Sequence, residues 1–295
     1  MAEWSVEQKR QIVRKFAKAL GVAQACRLVG LRRSTYYRVR GKQNDAPLEA
    51  IVRELAGKHP WYGYRRLGQL VRKKPRYKKV GDRRIRRIMA RLGLLIKRKK
   101  KPRRTTNSQH EHPRYPNLVM DLTVDHPNQV WVGDIAGILL GDGSEVFLAT
   151  LMDVYTRKVR GWELLRELTH HLPLGALRKA LRKGCPEIHH SDQGVQYATP
   201  KYTQSLLDRG VRLSMAEVGQ AWQNGYAERW IRTLREEELS LTEYKDFADA
   251  YRQIGKFIQD VYNRRRMHSS LGYMTPHEYE QMWREQQAEK SLSNC

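Results

Sequence analysis

The hydrophobic pattern of the chain changes near residue 118, and this change limits the possible folds more than any other feature. Before it, apolar residues recur at helical spacing, whereas after it they form short runs bounded by turn residues. The predicted strands are Val130–Leu140, Glu145–Asp153, Arg157–Leu164, Pro186–His190 and Val211–Ser214. The predicted helices among and after them are Leu172–Arg182, Lys201–Arg209, Trp222–Leu241 and most of Phe247–Trp283. This order predicts an α/β fold, a mixed sheet flanked by helices and preceded by all-α units.

The helical N-terminal part contains two helix-turn-helix patterns, in residues 1–44 and 45–96. In the first, Gly21 ends a helix, Gly30 turns the chain, and Ser34 caps a second helix that is basic and aromatic. The second repeats this arrangement with arginines around its apolar positions. Helix, turn and basic helix is typical of DNA binding through the major groove. An ordinary helical bundle with a basic surface is the alternative.

Positive charge is concentrated in the first third of the chain. Residues 1–104 hold 33 Lys and Arg against 6 Asp and Glu, whereas the remaining residues hold 23 against 25. Such a distribution indicates a polyanionic partner and favours nucleic acid, although a ribosome-binding or membrane-surface protein can have the same total. The side chains predicted to contact DNA in this part are Arg32, Arg33, Tyr37, Arg38, Arg65, Arg66, Arg83, Arg84, Arg87, Lys99 and Lys100.

Membrane and extracellular classes fit poorly. The chain has no run of 18 apolar residues and no signal-peptide pattern at its start, so we expect a cytoplasmic protein without a membrane partner. Its three cysteines, Cys26, Cys185 and Cys295, are far apart and form no zinc or disulfide pattern.

Three acidic residues have the positions expected of catalytic groups. Asp134 interrupts an apolar strand, Asp192 directly follows the short strand Pro186–His190, and Glu228 lies on a helix. Burial of a carboxylate is costly unless a partner such as a metal ion compensates it. Taken singly, each is more commonly a core, turn or surface residue. Asp153 is the rival acid, and its context predicts a turn cap that pairs with Arg157.

The spacing and the surrounding motifs resemble a known family. Thirty-five residues separate Asp192 from Glu228. His-Ser-Asp-x-Gly-x-Gln-Tyr at 190–197, Asn-Gly-x-x-Glu-Arg at 224–229 and the tail at 262–276 also match. Together with His-Pro-x-Tyr-Gly-Tyr-Arg-Arg-Leu near the N-terminus, these motifs resemble the DDE transposases of bacterial copy-out, paste-in insertion sequences. The resemblance is to their second-reading-frame product, with a retroviral-integrase-like core, and covers roughly residues 45–285.

The resemblance implies a ribonuclease-H-like catalytic core that cuts and joins DNA. Asp134, Asp192 and Glu228 would be catalytic and hold two Mg²⁺ ions, with Mn²⁺ as a substitute, and Asp134 would bridge both ions. Arg235, seven residues after Glu228, would reach DNA phosphates. Double-stranded DNA, both element ends and target, would be the partner of a homo-oligomer, a dimer on DNA, associated with the nucleoid. An upstream-reading-frame protein is a further expected partner.

The organisation expected on this basis has five parts. They are a helix-turn-helix at 1–44, a second one at 45–96, a basic linker at 97–117, the catalytic core at 118–245 and a helical extension at 246–295. Ala136 and Gln223 depart from the family pattern, where Thr and Asp are usual. Two other functions are weighed against transposition: a DNA-binding repressor of the element without catalysis, and a ribonuclease-H-like nuclease acting on RNA hybrids or junctions.

Overall fold

The computed structural model describes residues 4–37, 45–96 and 113–293. The chain forms two compact units, Met1–Glu54 and Leu55–Cys295. Among the described helices, none has the length and apolar character needed to cross a bilayer. The predicted five-part boundaries stay a prediction.

The first unit is helical. Helix α1, Val6–Leu28, begins at a capping box in which Ser5 and Gln8 exchange side-chain-to-backbone hydrogen bonds. The predicted end of a helix at Gly21 is confirmed: Gly21 adopts φ 73° and ψ 149°, outside the helical range, and divides α1 into two helical parts, the second of which packs Ala25 and Cys26 against Val13. Helix α2, Arg33–Tyr37, starts one residue before the predicted cap.

The second unit opens with a compact helical segment. Helix α3, Ala46–Lys58, crosses the boundary between the units, and is followed by α4, Tyr64–Arg72, and α5, Asp82–Arg91. Apolar residues on α4 and α5 are fully buried where the two helices pack together, and Arg72 pairs with Asp82 at 2.8 Å. This segment contains the second predicted helix-turn-helix.

A five-stranded mixed sheet forms the centre of the second unit, as the sequence predicts. The strands are β1 Val130–Leu139, β2 Glu145–Asp153, β3 Val159–Leu165, β4 Ile188–Ser191 and β5 Arg212–Met215. Their order is β3-β2-β1-β4-β5. The first three strands are antiparallel neighbours, whereas β4 and β5 run parallel to β1. This sheet and its flanking helices form a ribonuclease-H-like fold.

Helices cover both faces of the sheet. They are α6 His171–Leu181, α7 Val195–Ala198, α8 Pro200–Leu207, α9 Gly225–Leu234, α10 Phe247–Lys256 and α11 Pro276–Ser293. One face packs against α9 and α10, with Trp230 and Phe257 in its core, and the other packs against α6 and α8, with Trp131 and Tyr202 in its core. Successive side chains of β1 point to opposite faces of the sheet, so they belong alternately to the two cores.

Two predicted boundaries differ from the structure. The expected single helix Trp222–Leu241 is a 3₁₀ turn at Ala221–Asn224, then α9, then a π-helical turn at Arg235–Leu239. Strand β3 begins at Val159 rather than Arg157, because Arg157 adopts φ 62° in the turn before it.

Candidate active site

Asp134, in the middle of β1, and Asp192, just after β4, meet where the parallel pairing of these two strands ends. Val132 of β1 pairs with His190 of β4, and each aspartate lies two residues beyond that pair. Neighbouring strands are separated by about 4.8 Å, so their equivalent positions are side by side. Both aspartates line one small pocket, together with Gln196 and Tyr197.

Two glycines allow this close approach. A Cβ on Gly133 would lie 3.1 Å from the Tyr197 ring and 3.2 Å from His189, so a larger residue would displace the pocket wall. The N–H of Gly194 donates to Asp192 Oδ1 at 3.1 Å and holds that carboxylate in the turn after β4. The sequence therefore fixes the backbone around both acids.

Glu228 approaches the same strand from helix α9. The Asn224 side chain, buried directly before α9, donates to the Gly133 carbonyl at 3.0 Å and anchors the start of the helix beside Asp134. Glu228 lies four residues after Asn224, about one helical turn, and therefore on the same side of α9. Its side chain is exposed, unlike those of the two aspartates.

The electrostatics of Asp134 show that the acids interact. Burial raises the pKa of Asp134 to about 7, and the negative charges of Asp192 and Glu228 add to this effect. The Ile135 N–H, which donates to Asp134 Oδ1 at 2.8 Å, and the Arg235 guanidinium lower it. A carboxyl group with this pKa lacks sufficient positive charge around it.

The donor set fits a hard divalent cation in chemistry, because all three candidates are carboxylates. Asp134 and Asp192 share a pocket, and the raised pKa of Asp134 indicates that a cation would relieve their repulsion. Within residues 4–37, 45–96 and 113–293, however, no three acidic, His or Cys side chains lie close enough to hold a metal ion together. The structure thus brings two acids together and leaves Glu228 nearby.

Two buried histidines lie beneath this strand end. His189 bonds to the Tyr202 hydroxyl at 3.0 Å and His190 to Ser214 Oγ at 2.8 Å. Burial lowers the pKa of His189 to about 3 and that of His190 to about 4, so both rings are neutral at pH 7. They position β4 rather than add charge to the pocket.

Asp153 belongs to a different cluster. It caps the turn after β2 by accepting from the Thr156 N–H at 2.9 Å, as the sequence predicts. The predicted partner Arg157 is wrong: Asp153 pairs with buried Arg160 at 2.8 Å, because Arg157 turns away to lie over Tyr226. Arg160 also pairs with Glu280 of α11 at 2.7 Å.

Family models match most of this architecture. Two models described as integrase core domains match residues 124–221 and 209–276, and a model described as an HTH-like domain matches residues 42–102. Asp134 and Asp192 fall in the first range and Glu228 in the second.

Relatives match almost end to end. The uncharacterized 31 kDa protein of insertion element IS600 from Shigella sonnei is 34% identical over 263 residues, covering 85% of this chain and 95% of that protein. The chain belongs to the family of insertion-sequence DDE transposases. The transposase of IS904 from Lactococcus lactis is 30% identical over 205 residues, or 68% of this chain and 81% of that protein. The HTLV-2 integrase catalytic core in complex with magnesium is 16% identical, with a TM-score of 0.42, over 52% of this chain and 97% of that chain.

The predicted DNA-contacting residues of this transposase have different surroundings. Those with exposed side chains are Arg32, Arg33, Tyr37, Arg65, Arg83 and Arg87, whereas Arg84 and Arg235 are half-buried. Arg66 pairs with Glu237 at 3.2 Å inside the protein, which gives it a structural partner that the sequence did not reveal. Arg38, Lys99 and Lys100 lie outside the described residues.

Sequence reasoning missed two polar residues that support the transposase site. Asn224 anchors α9 to β1, and its signal was the Asn-Gly-x-x-Glu motif already used to find Glu228. Gln223, one of the departures from the family pattern, accepts from the Asn117 side chain at 3.0 Å and the Glu217 N–H at 2.7 Å. It therefore orders the loop before α9.

Proposed function

We propose that this transposase cuts DNA at the terminal repeats of an insertion sequence and joins the freed ends to target DNA, using Asp134, Asp192 and Glu228. The observation that supports this function best is the raised pKa of Asp134, in a pocket shared with Asp192 and within the influence of Glu228 and Arg235. Repelling carboxylates at a sheet end destabilise a fold and are typical of functional sites.

Each acid has a distinct part in this proposal. Asp134 on β1 and Asp192 after β4 would hold Mg²⁺, and Glu228 would add a third carboxylate from α9. Paired divalent ions activate the attacking oxygen and stabilise the leaving oxygen in phosphodiester displacement. Arg235 lies close enough to lower the pKa of Asp134, so it contributes positive charge where a DNA phosphate would bind.

The basic N-terminal third binds the DNA on which this site acts. Arg32, Arg33 and Tyr37 are exposed on or next to α2, and Arg83 and Arg87 are exposed on α5. Their charges bind phosphates of the terminal repeats and release counterions. Joining two element ends to one target requires at least two copies of the protein on the DNA, and an upstream-frame protein is a candidate further partner.

The test separates binding from cutting. Asp192→Asn keeps the shape of the side chain but removes its charge, so we expect it to abolish Mg²⁺-dependent cutting of a labelled duplex that carries the element end. Binding of the same duplex, measured by gel shift in EDTA, should be unchanged. Exposed Asp208, the C-cap residue of α8, provides the matched control, and Asp208→Asn should cut normally.

The outcomes distinguish the rival functions. Specific binding without cutting by the wild-type protein, at any divalent metal concentration, indicates a repressor. Preferential cutting of an RNA–DNA hybrid indicates a nuclease of the ribonuclease H type. Retained cutting by Asp192→Asn removes Asp192 from the site.

A further inference from the structure

A second cavity, of about 220 Å³, borders α9 away from the carboxylates. Tyr226, Trp230 and Thr233 line it from α9, and they lie about 140–200° around the helix axis from Glu228 at about 100° per residue. Among the described residues that line it, none is acidic. Four arginines line it: Arg66, Arg157, Arg229 and Arg266.

Two of these arginines are held by one buried carboxylate. Glu237 accepts from Arg266 Nε at 2.6 Å and from its Nη2 at 2.7 Å, and it also pairs with Arg66 at 3.2 Å. A single negative charge therefore compensates two guanidinium groups. This wall of the cavity is rigid, and it retains excess positive charge.

The other two arginines form no ion pair within the described part of the chain. The Arg157 guanidinium lies 4.1 Å from the centre of the Tyr226 ring, which fixes its plane. Its Nη1 is buried and has no hydrogen-bond acceptor among the described groups. A buried donor on a charged group is costly without an acceptor, and an unoccupied ligand site is a common reason for one.

His268, which also lines the cavity, shows that the positive charges converge. Burial lowers the pKa of His268 to about 2, and the charges of Arg266, Arg66, Arg157 and Arg229 contribute to this shift. All four lining arginines therefore lie close enough to His268 to lower its pKa. The ring stays neutral and adds no charge to the cavity.

The size and donors of the cavity select the ligand. Pockets that enclose whole small molecules are typically about 300–1,000 Å³, so this one suits a single anionic group. Guanidinium groups match phosphate oxygens in geometry, and the Ser269 and Ser270 hydroxyls add neutral donors.

We propose that this arginine cavity binds a backbone phosphate of the DNA and holds the strand on the flank of α9 opposite Glu228. The choice of DNA as the source of the phosphate rests on the proposed function. Anion binding by the cavity is indicated by Arg157, Tyr226 and Arg229 and does not depend on the proposed function.

The test measures DNA affinity as a function of salt with catalysis removed. In the Asp192→Asn background, Arg157→Gln and Arg229→Gln should each weaken binding of an element-end duplex about tenfold. Each should also reduce the slope of log affinity against log salt by about 1, because one phosphate contact is lost. Arg252→Gln on α10 removes an equally positive, exposed side chain outside the cavity and should leave both quantities unchanged.

Two small ligands identify the source of the phosphate. Calorimetric titration of octathymidylate, which has only internal phosphodiesters, should show binding that Arg157→Gln abolishes. Binding of inorganic phosphate alone, with none of the oligonucleotide, overturns the DNA assignment. Thermal melting checks folding, and Arg229 is exposed on α9, so its variant tests the cavity even if Arg157→Gln unfolds.

The outcome for the cavity is independent of the outcome for catalysis. Wild-type affinity and salt slope in both arginine variants overturn the cavity proposal while the Asp192→Asn cutting test still stands. Normal cutting by Asp192→Asn, together with weakened binding in the arginine variants, overturns the catalytic assignment instead.

Discussion

Asp134, which is half-buried, and Asp153, which is fully buried, are both aspartates of the central sheet, yet their surroundings are opposite. Asp153 accepts from the Asn128 N–H at 2.7 Å, the Thr156 N–H at 2.9 Å and the Arg160 guanidinium at 2.8 Å. Asp134 accepts one backbone N–H and lies near two further carboxylates. The first aspartate is compensated by a guanidinium and two N–H donors, whereas burial and the neighbouring carboxylates raise the pKa of the second.

The compensated cluster extends to α11. Burial alone would raise the pKa of Glu280, but the positive charges of Arg160 and Lys158 lower it to about 2. Arg160 is thus shared between Asp153 and Glu280, and this cluster joins the β2–β3 turn to the C-terminal helix. Within one sheet, carboxylates with buried cationic partners stabilise the fold, whereas the raised pKa of Asp134 marks the candidate site.

The largest expected effect is the loss of DNA cutting when Asp134 is substituted. Asp134→Asn should reduce cutting of an element-end duplex by about 10⁴-fold, the scale found when a reacting group is lost. The same change removes a repelling charge, so the urea midpoint at pH 8 should stay the same or rise. Cutting within tenfold of wild type, or marked destabilisation, would place Asp134 in the structural class of Asp153.

Sequence reasoning found the three candidate acids because their signal is local. An Asp inside the apolar run of β1, an Asp directly after β4 and a Glu thirty-five residues later are visible in the printed sequence. The strands were equally visible, since β-branched and aromatic runs bounded by turns define them. The parallel pairing of β1 with β4 then follows from the α/β order.

The compensated cluster was not visible, because its partners are distant in sequence. Glu280 lies 120 residues from Arg160, and no spacing rule connects them. The prediction of Arg157 as partner followed sequence proximity, but the φ of 62° at Arg157 directs it to Tyr226.

The second effect concerns the stability of the compensated cluster. Asp153→Ala leaves Arg160 short of one partner and removes the turn cap, so we expect a loss of about 3–5 kcal/mol in the free energy of unfolding. Urea denaturation followed by circular dichroism measures it. Asp260→Ala breaks an exposed pair with Arg264 at 3.9 Å and should cost less than about 1 kcal/mol. Equal losses of unfolding free energy in Asp153→Ala and Asp260→Ala would contradict the expectation that the buried cluster stabilises the fold more than the exposed pair.

The smallest effect is the opposite pH dependence of the two sites. The pKa of Glu280 is lowered from 4.5 to about 2, so its stabilisation, about 3 kcal/mol, is present above pH 4.5 and is lost as the pH falls toward 2. The pKa of Asp134 is raised from 3.8 to about 7, so its contribution is fully present below pH 3.8 and is lost as the pH rises through 7.

Urea midpoints of wild type, Glu280→Gln and Asp134→Asn across pH 3–8 test this difference. The urea midpoint of wild type should exceed that of Glu280→Gln by less as the pH falls below 4.5, because protonation of Glu280 removes the same charge as the substitution. The urea midpoint of Asp134→Asn should exceed that of wild type by more as the pH rises toward 8. Added Mg²⁺ should reduce this difference if the cation compensates Asp134. Parallel pH profiles for all three proteins would show that the two carboxylate environments do not differ in the way their contacts require.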